Sequence, residues 1–84
     1  MRTVIETSAF ARKADALLTP EEHAAIIDEL ANRPLSGVMP RGLGGARKIR
    51  FGLQGRGKSG GVRVVYYYFD DDHPVIALTL FREK

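Results

Sequence analysis

Residues 41–69 read RGLGGARKIRFGLQGRGKSGGVRVVYYYF, and this stretch decides the fold of the chain. Polar and apolar side chains alternate over Arg47–Phe51, and residues 61–69 are rich in valine and tyrosine, so both segments favour β-strands. The glycine-rich segment between them, residues 55–61, predicts a turn. The stretch is therefore predicted to form a β-hairpin.

An opening strand and a first helix precede this stretch. Residues 2–6 are β-prone and predict a short strand. The hydroxyl of Thr7 or Ser8 can accept a hydrogen bond from an N–H group of the following turn and so begin a helix. This helix is predicted over residues 9–18, because Pro20 disfavours helical backbone at the residue before it.

The clearest helix start lies at residues 19–22, Thr-Pro-Glu-Glu. Threonine at the cap, proline at the first helical position and glutamate at the third are the signature of a capping box. They predict a second helix over residues 20–31. With Ile26 at its border, the buried face of this helix is expected to comprise Ala24, Ile27, Leu30 and Ala31.

The C-terminal part of the chain predicts a turn and a last strand. Residues 70–74 favour a turn, and residues 75–81 are almost wholly apolar, so this strand is expected to be central or covered. The order β-α-α-β-β-β indicates one α+β domain over residues 1–84, in which the two helices lie across a sheet.

Basic residues are concentrated in the hairpin region. The net charge is +3, yet residues 30–69 contain no aspartate or glutamate. The same interval holds eight of the thirteen basic residues, namely Arg33, Arg41, Arg47, Lys48, Arg50, Arg56, Lys58 and Arg63. This layout indicates a partner rich in phosphate, such as a nucleic acid. The alternative is an ordinary solvated face, which explains neither the missing acids nor the interleaved glycines.

The composition disfavours several other classes of protein. The chain has no cysteine, which excludes a disulfide framework, a thiolate nucleophile and zinc–thiolate sites. The first ten residues lack the apolar core of a signal peptide, and no apolar run approaches the ~20 residues of a membrane span. We therefore expect a soluble cytoplasmic protein that does not contact a membrane.

Two chemical motifs are present but lack the context that they need. Residues 52–59, GLQGRGKS, match the phosphate-loop pattern GxxxxGK[ST], which requires a helix directly after the lysine. Gly60 and Gly61 followed by a strand exclude such a helix, so nucleotide hydrolysis is not expected. His23 and His73 are far apart and have no neighbours at metal-ligand spacing, so neither a metal site nor a cofactor is expected.

Three basic residues of the hairpin are candidates for chemistry. Lys48 and Arg50 lie two apart on one predicted strand and so point to one face, which Arg63 on the adjacent strand can join. Lysine and arginine can promote metal-free RNA cleavage, in which the ribose 2′-hydroxyl attacks the adjacent phosphate, by moving protons and stabilising the phosphorane. Their spacing alone does not separate cleavage from binding.

Four consecutive aromatic residues end the second hairpin strand. By alternation, Tyr66 and Tyr68 face one side of the sheet, and Tyr67 and Phe69 face the other. Together with Arg63, one side can offer a surface on which bases stack. Packing of these rings against the helices and neighbouring strands is the alternative.

Three segments of the chain resemble the RelE/HigB family of type II toxins, and most closely its HigB branch. They are residues 45–51, GARKIRF, residues 55–67, GRGKSGGVRVVYY, and residues 78–81, LTLF. The resemblance implies the RelE-like fold, an antiparallel-dominated sheet with two N-terminal helices packed on one face. It also implies an mRNA interferase, a metal-free endoribonuclease that cleaves mRNA in the ribosomal A site.

The resemblance also implies roles for individual residues. The family's basic pair on the first hairpin strand falls on Lys48 and Arg50, and its phosphate-binding arginine falls on Arg63, so these three are the expected catalytic residues. Further RNA contacts are expected from Arg47, Arg56, Lys58, Arg82 and Lys84. The implied partners are mRNA, the ribosome and a cognate helix-turn-helix antitoxin similar to HigA. Operator DNA would be bound only through that antitoxin.

The chain departs from the family pattern near its C-terminus. Family members usually continue into a C-terminal helix, which carries a catalytic tyrosine in RelE-type members, whereas this sequence ends at Lys84. Phe81 stands where HigB members often have tyrosine, and it has no hydroxyl with which to move protons. The alternative expectation is therefore a shortened toxin that binds RNA and antitoxin with weak cleavage or none.

Overall fold

The computed structural model describes residues 2–53 and 61–82 and has an α+β fold. Its elements in chain order are β1 (Val4–Glu6), α1 (Ser8–Leu17), α2 (Pro20–Asn32), β2 (Arg47–Phe51), β3 (Val62–Tyr67) and β4 (Val75–Arg82). The predicted order is confirmed, and no boundary differs from its predicted position by more than two residues. Neither helix in this described part has the length and apolar character needed to cross a membrane.

The four strands form one sheet in the order β1-β4-β3-β2. β1 pairs with β4 in parallel, whereas the β2–β3 and β3–β4 pairs are antiparallel, so the sheet is dominated by antiparallel pairs as predicted. The apolar β4 has a neighbour on each side, which confirms its predicted central place. Its register against β3 shifts between Val65 and Tyr66, so that Leu78 is the extra residue of a β-bulge.

Both helices pack on one face of the sheet, and the core lies between the two layers. Phe10 of α1 and Ile26 of α2 are among its largest fully buried side chains, together with Tyr66 of β3. The buried face predicted for α2 was partly wrong, because Ala24 is exposed and Ile27 is only half-buried. Ile26 and Leu30 are four residues apart and therefore adjacent on the helix surface. The helix faces the sheet with the edge that these two residues form.

The helix starts are those that the sequence predicts. The Thr7 hydroxyl accepts a hydrogen bond from the N–H of Phe10 at 3.0 Å. Thr19 and Glu22 make both bonds of the capping box, at 3.1 and 2.8 Å. Thr7 has a second role, because its hydroxyl also donates to the carbonyl of Leu78 at 2.7 Å. It therefore ties the first turn of α1 to the bulge in β4.

The loop between α2 and β2 is held in place by the hydroxyl of Tyr66. This buried hydroxyl donates to the carbonyl of Pro34 at 2.6 Å and accepts from the N–H of Gly37 at 2.9 Å. Val38 then bridges Lys48 of β2 through two backbone hydrogen bonds of 3.0 and 2.8 Å. Burial raises the pKa of Tyr66, so its phenol keeps the proton that it donates.

The turn after β3 is fastened to the N-terminal part of the chain by Asp71. Its carboxylate accepts from the Tyr68 hydroxyl and from the Arg2 guanidinium, in both cases at 2.7 Å. These hydrogen bonds, that of Tyr68 first, lower the pKa of Asp71. Arg2 also donates to the carbonyl of Ala31 at 3.1 Å, which joins this turn to the end of α2.

Candidate nucleic-acid interface

The strand register places the three candidate catalytic residues on one face of the sheet. Arg50 of β2 is paired directly with Arg63 of β3, and Lys48 is paired with Val65. Paired residues project from the same face, so all three cations share it. The residues between them, such as Ile49 and its partner Val64, contribute to the core instead. The grouping predicted from alternation is confirmed for the backbone positions of Lys48, Arg50 and Arg63.

This face lies opposite the two helices, and we call it the open face. Pairing across the strands arranges its residues in three rows. The first row is Arg50, Arg63 and Phe81, the second is Lys48, Val65 and Thr79, and the third is Tyr67, Ile76 and Ile5. Within a row, paired side chains start about 4.5–5.5 Å apart at their Cβ atoms. Cations therefore fill the β2 side of the open face, and apolar side chains fill most of the remainder.

Gly61, directly before β3, makes room for the guanidinium of Arg50. A methyl group built at Gly61 would lie 2.9 Å from Nη2 and 3.1 Å from Cζ of Arg50. The guanidinium therefore lies against the backbone of the neighbouring strand rather than extending away from the sheet. Arg50 and Arg63 are directly paired, so both side chains arise from the same face of the sheet. Guanidinium groups bind phosphate oxygens through paired hydrogen bonds.

The predicted RNA contact Arg47 lies on the other face. It is paired with Tyr66, whose side chain is in the core. Its Nη1 donates to the carbonyl of Gly37 at 2.9 Å, and its Nε is buried without a hydrogen-bond partner within the described ranges. Arg47 thus braces the loop between α2 and β2 and does not join Lys48 and Arg50.

Of the remaining predicted RNA contacts, only Arg82 lies within the described residues, and it does not join the group. Arg82 is exposed at the end of β4, where it is paired with buried Val62 and so belongs to the helix side of the sheet. Arg56, Lys58 and Lys84 lie outside the described residues. The RNA contacts predicted for these four residues therefore stay predictions.

Two exposed aromatic residues lie on the open face. Tyr67 is 38% exposed and Phe81 is 40% exposed, whereas Tyr66 is fully buried, so the predicted alternation of the tyrosines is confirmed. Sequence reasoning considered Phe81 only for the hydroxyl that it lacks and missed its position beside Arg63. Strict alternation from buried Val75 would place Phe81 on the helix side. The bulge at Leu78 moves Phe81 to the open face instead, and no local sequence signal marks this bulge.

The two histidines lie apart from the cationic rows and have partners of their own. Nε2 of His23 is 2.8 Å from a carboxylate oxygen of Glu6, and Nδ1 of His73 is 2.6 Å from one of Asp70. Over residues 2–53 and 61–82, no three histidine or acidic side chains are grouped as metal ligands would be.

Comparison with models of known protein families gives no match for this chain. Membership of the RelE/HigB family therefore stays a prediction that rests on three sequence segments. The arrangement of the open face does not depend on that resemblance, because it follows from the strand register.

Proposed function

We propose that this protein is the toxin of a type II toxin–antitoxin system and cleaves mRNA in the ribosomal A site without a metal ion. The observation that carries the proposal is the grouping of Lys48, Arg50 and Arg63 on the open face, in a chain segment with no acidic residue. Phosphate is the ligand that such a group of cations selects. The resemblance of residues 45–51 and 55–67 to HigB-type toxins supports the choice of RNA as the substrate.

In the proposed reaction, the ribose 2′-oxygen attacks the adjacent phosphorus and the bond from phosphorus to the 5′-oxygen breaks. The products are a 2′,3′-cyclic phosphate and a 5′-hydroxyl. Arg63 can hold two phosphate oxygens with its planar fork, and Arg50 beside it adds charge as the phosphorane forms. Lys48, one row away, is the candidate acceptor of the 2′ proton through its neutral amine, and the ammonium so formed can give a proton to the leaving 5′-oxygen.

The proposed partners follow from the same function. A toxin that acts on translating ribosomes works in the cytoplasm and needs a cognate antitoxin, for which a helix-turn-helix protein encoded beside it is the expectation. The open face combines cations with exposed apolar side chains, among them Ile5. An antitoxin segment with acidic and apolar residues would complement both. Operator DNA would be contacted only through the antitoxin.

Conservative substitutions test the catalytic roles, with single-turnover cleavage on programmed ribosomes as the measurement. Arg63→Lys keeps the positive charge but loses the bidentate contact with two phosphate oxygens. RNA affinity should therefore stay near that of wild type. The cleavage rate should fall at least about tenfold, which corresponds to an activation free energy raised by about 1.4 kcal/mol. Lys48→Arg should also slow cleavage, because arginine does not give up its proton. Arg33→Lys is the matched control, since the side chain of Arg33, directly after α2, is 74% exposed and pairs with Glu29.

The alternative is a protein that binds RNA and antitoxin without cleaving. It is favoured by the make-up of the open face, whose described positions include no carboxylate and no histidine, so that proton transfer would depend on Lys48. Binding needs only the charges. If Arg63→Lys and Lys48→Arg both cleave RNA at the wild-type rate, these residues only hold RNA. If the wild-type protein itself does not cleave RNA, the binding function is the correct one.

A further inference from the structure

We infer that Phe81 is the platform on which the enzyme stacks an unpaired nucleobase next to the phosphate held by Arg63, so that its substrate is single-stranded RNA with an accessible base at that position. The inference rests on the proposed function and deepens it. Phe81 and Arg63 are directly paired on neighbouring strands of the open face. The row Arg50, Arg63, Phe81 thus presents two phosphate-binding groups and, one strand further, an aromatic ring.

The exposure of Phe81 results from a specific feature of the fold. Without the bulge at Leu78, alternation along β4 would send Phe81 to the helix side together with Val75 and Ala77. With the bulge, Leu80 takes the buried place and Phe81 turns to the open face, where it is 40% exposed. The ring is directly paired with Arg63, so it lies where a base attached to a phosphate on that arginine can stack.

The bulge is itself held in place by a side chain. The Thr7 hydroxyl donates to the carbonyl of Leu78 at 2.7 Å, and the Thr7 N–H donates to the carbonyl of Ala77 at 3.1 Å. Both bonds come from the cap of α1, which is packed on β4. The register that brings Phe81 beside Arg63 is therefore fixed by the helix layer and does not depend on RNA.

The chemistry of single-stranded RNA matches this arrangement. Successive phosphates and bases alternate along the chain, and proteins that read single strands combine cations for the backbone with aromatic rings on which bases stack. Neighbouring strands are about 4.8 Å apart, so a nucleotide whose phosphate lies on Arg63 can lay its base on the next strand. A base inside a duplex is already stacked on its neighbours and is not available. Every base has a flat face, so the contact selects unpaired RNA rather than a sequence.

Tryptophan fluorescence tests this contact directly, because the chain contains no tryptophan. Phe81→Trp introduces one reporter on the open face, and a 2′-O-methyl oligouridylate, which cannot be cleaved by attack of its 2′-oxygen, is the probe. Stacking should quench the tryptophan, whereas the same backbone without bases should bind and leave the emission unchanged. The control is Phe69→Trp. Phe69 lies beyond the end of β3 and six residues along the chain from Arg63, so its tryptophan should not respond to either probe.

A binding measurement gives an independent readout. Phe81→Leu keeps an apolar side chain but removes the flat ring, and should bind the oligouridylate about tenfold more weakly, about 1.4 kcal/mol, with unchanged affinity for the abasic backbone. Phe69→Leu should change neither affinity. Because Phe81→Leu does not need the tryptophan variant, it decides the question if Phe81→Trp fails to fold.

The outcomes separate this inference from the proposed function. Binding that depends on Arg63 but not on Phe81, without quenching, overturns the stacking role and leaves the RNA function standing. An equal loss on both probes in Phe81→Leu also overturns it, because the ring would then support the fold and not a base. If wild type binds neither probe at low salt, the proposed function fails and the stacking role fails with it.

Discussion

Tyr66→Phe removes one oxygen atom and should cost this fold much of its stability. The Tyr66 hydroxyl is fully buried, donates to the carbonyl of Pro34 and accepts from the N–H of Gly37. Its loss leaves two buried backbone groups unpaired, at about 1–3 kcal/mol each. Some relaxation of the loop is expected, so we predict a loss of about 2–4 kcal/mol, against about 5–15 kcal/mol for a whole domain. In a domain of this size, that corresponds to a melting temperature lowered by at least about 8 °C.

Urea unfolding of the two proteins, followed by circular dichroism, measures this difference. Tyr67→Phe is the matched control, since Tyr67 is half-exposed and its hydroxyl makes no hydrogen bond to the described residues. Hydrogen exchange adds a local readout, because the amide of Gly37 should lose its protection in Tyr66→Phe while amides of β4 keep theirs until global unfolding. If both tyrosine variants have the same unfolding midpoint, the hydroxyl of Tyr66 does not anchor the loop.

Two further predictions concern backbone space and pH. Gly37→Ala should destabilise the fold by about 1–3 kcal/mol, because its methyl group would lie 2.7 Å from the Tyr66 hydroxyl, whereas Gly52→Ala meets no atom within 4 Å and should be neutral in the same thermal melt. Asp71, whose pKa is lowered first by the hydrogen bond from Tyr68, favours folding in its ionised form. That contribution is complete above the unfolded pKa of about 3.9 and is lost as pH falls through the lower folded pKa, so Asp71→Asn should flatten the acid limb of a stability–pH curve. An unchanged acid limb in Asp71→Asn would contradict this.

The elements of the fold were predictable because their signals are local. The capping box at Thr19 and Glu22 fixes the start of α2 from four consecutive residues. The hairpin strands follow from alternation over Arg47–Phe51 and from the valines and tyrosines of β3. None of these signals requires knowledge of a distant residue. The central place of β4 was predictable as well, since residues 75–81 are almost wholly apolar and such a strand is normally covered on both faces.

The features that the sequence did not predict depend on contacts between distant residues. Whether Ile26 or Ile27 of α2 is buried depends on how the helix lies on the sheet, since both are equally apolar. The bulge at Leu78 is stabilised by Thr7, 71 residues earlier in the chain. Pattern arguments treat each strand as a regular repeat, so a single inserted residue shifts every later side chain to the other face. Phe81 is the residue whose role changes as a result.

Arg47 and Arg50 are three residues apart on β2, so the alternation of side chains along the strand places them on opposite faces of the sheet, where they have different roles. Arg47 braces the loop through Gly37, so Arg47→Ala should lose about 0.5–1.5 kcal/mol of stability while the salt dependence of RNA binding stays unchanged. Arg50 lies on the open face, so Arg50→Ala should lower the slope of log affinity against log salt by about 0.7, the value for one phosphate contact on a single strand. Unfolding in urea and titration of an oligouridylate at several salt concentrations measure both effects. A reduced slope in Arg47→Ala would show that its guanidinium reaches RNA despite its place on the helix side. An unchanged slope in Arg50→Ala would remove that residue from the interface and leave the case for RNA to Lys48 and Arg63.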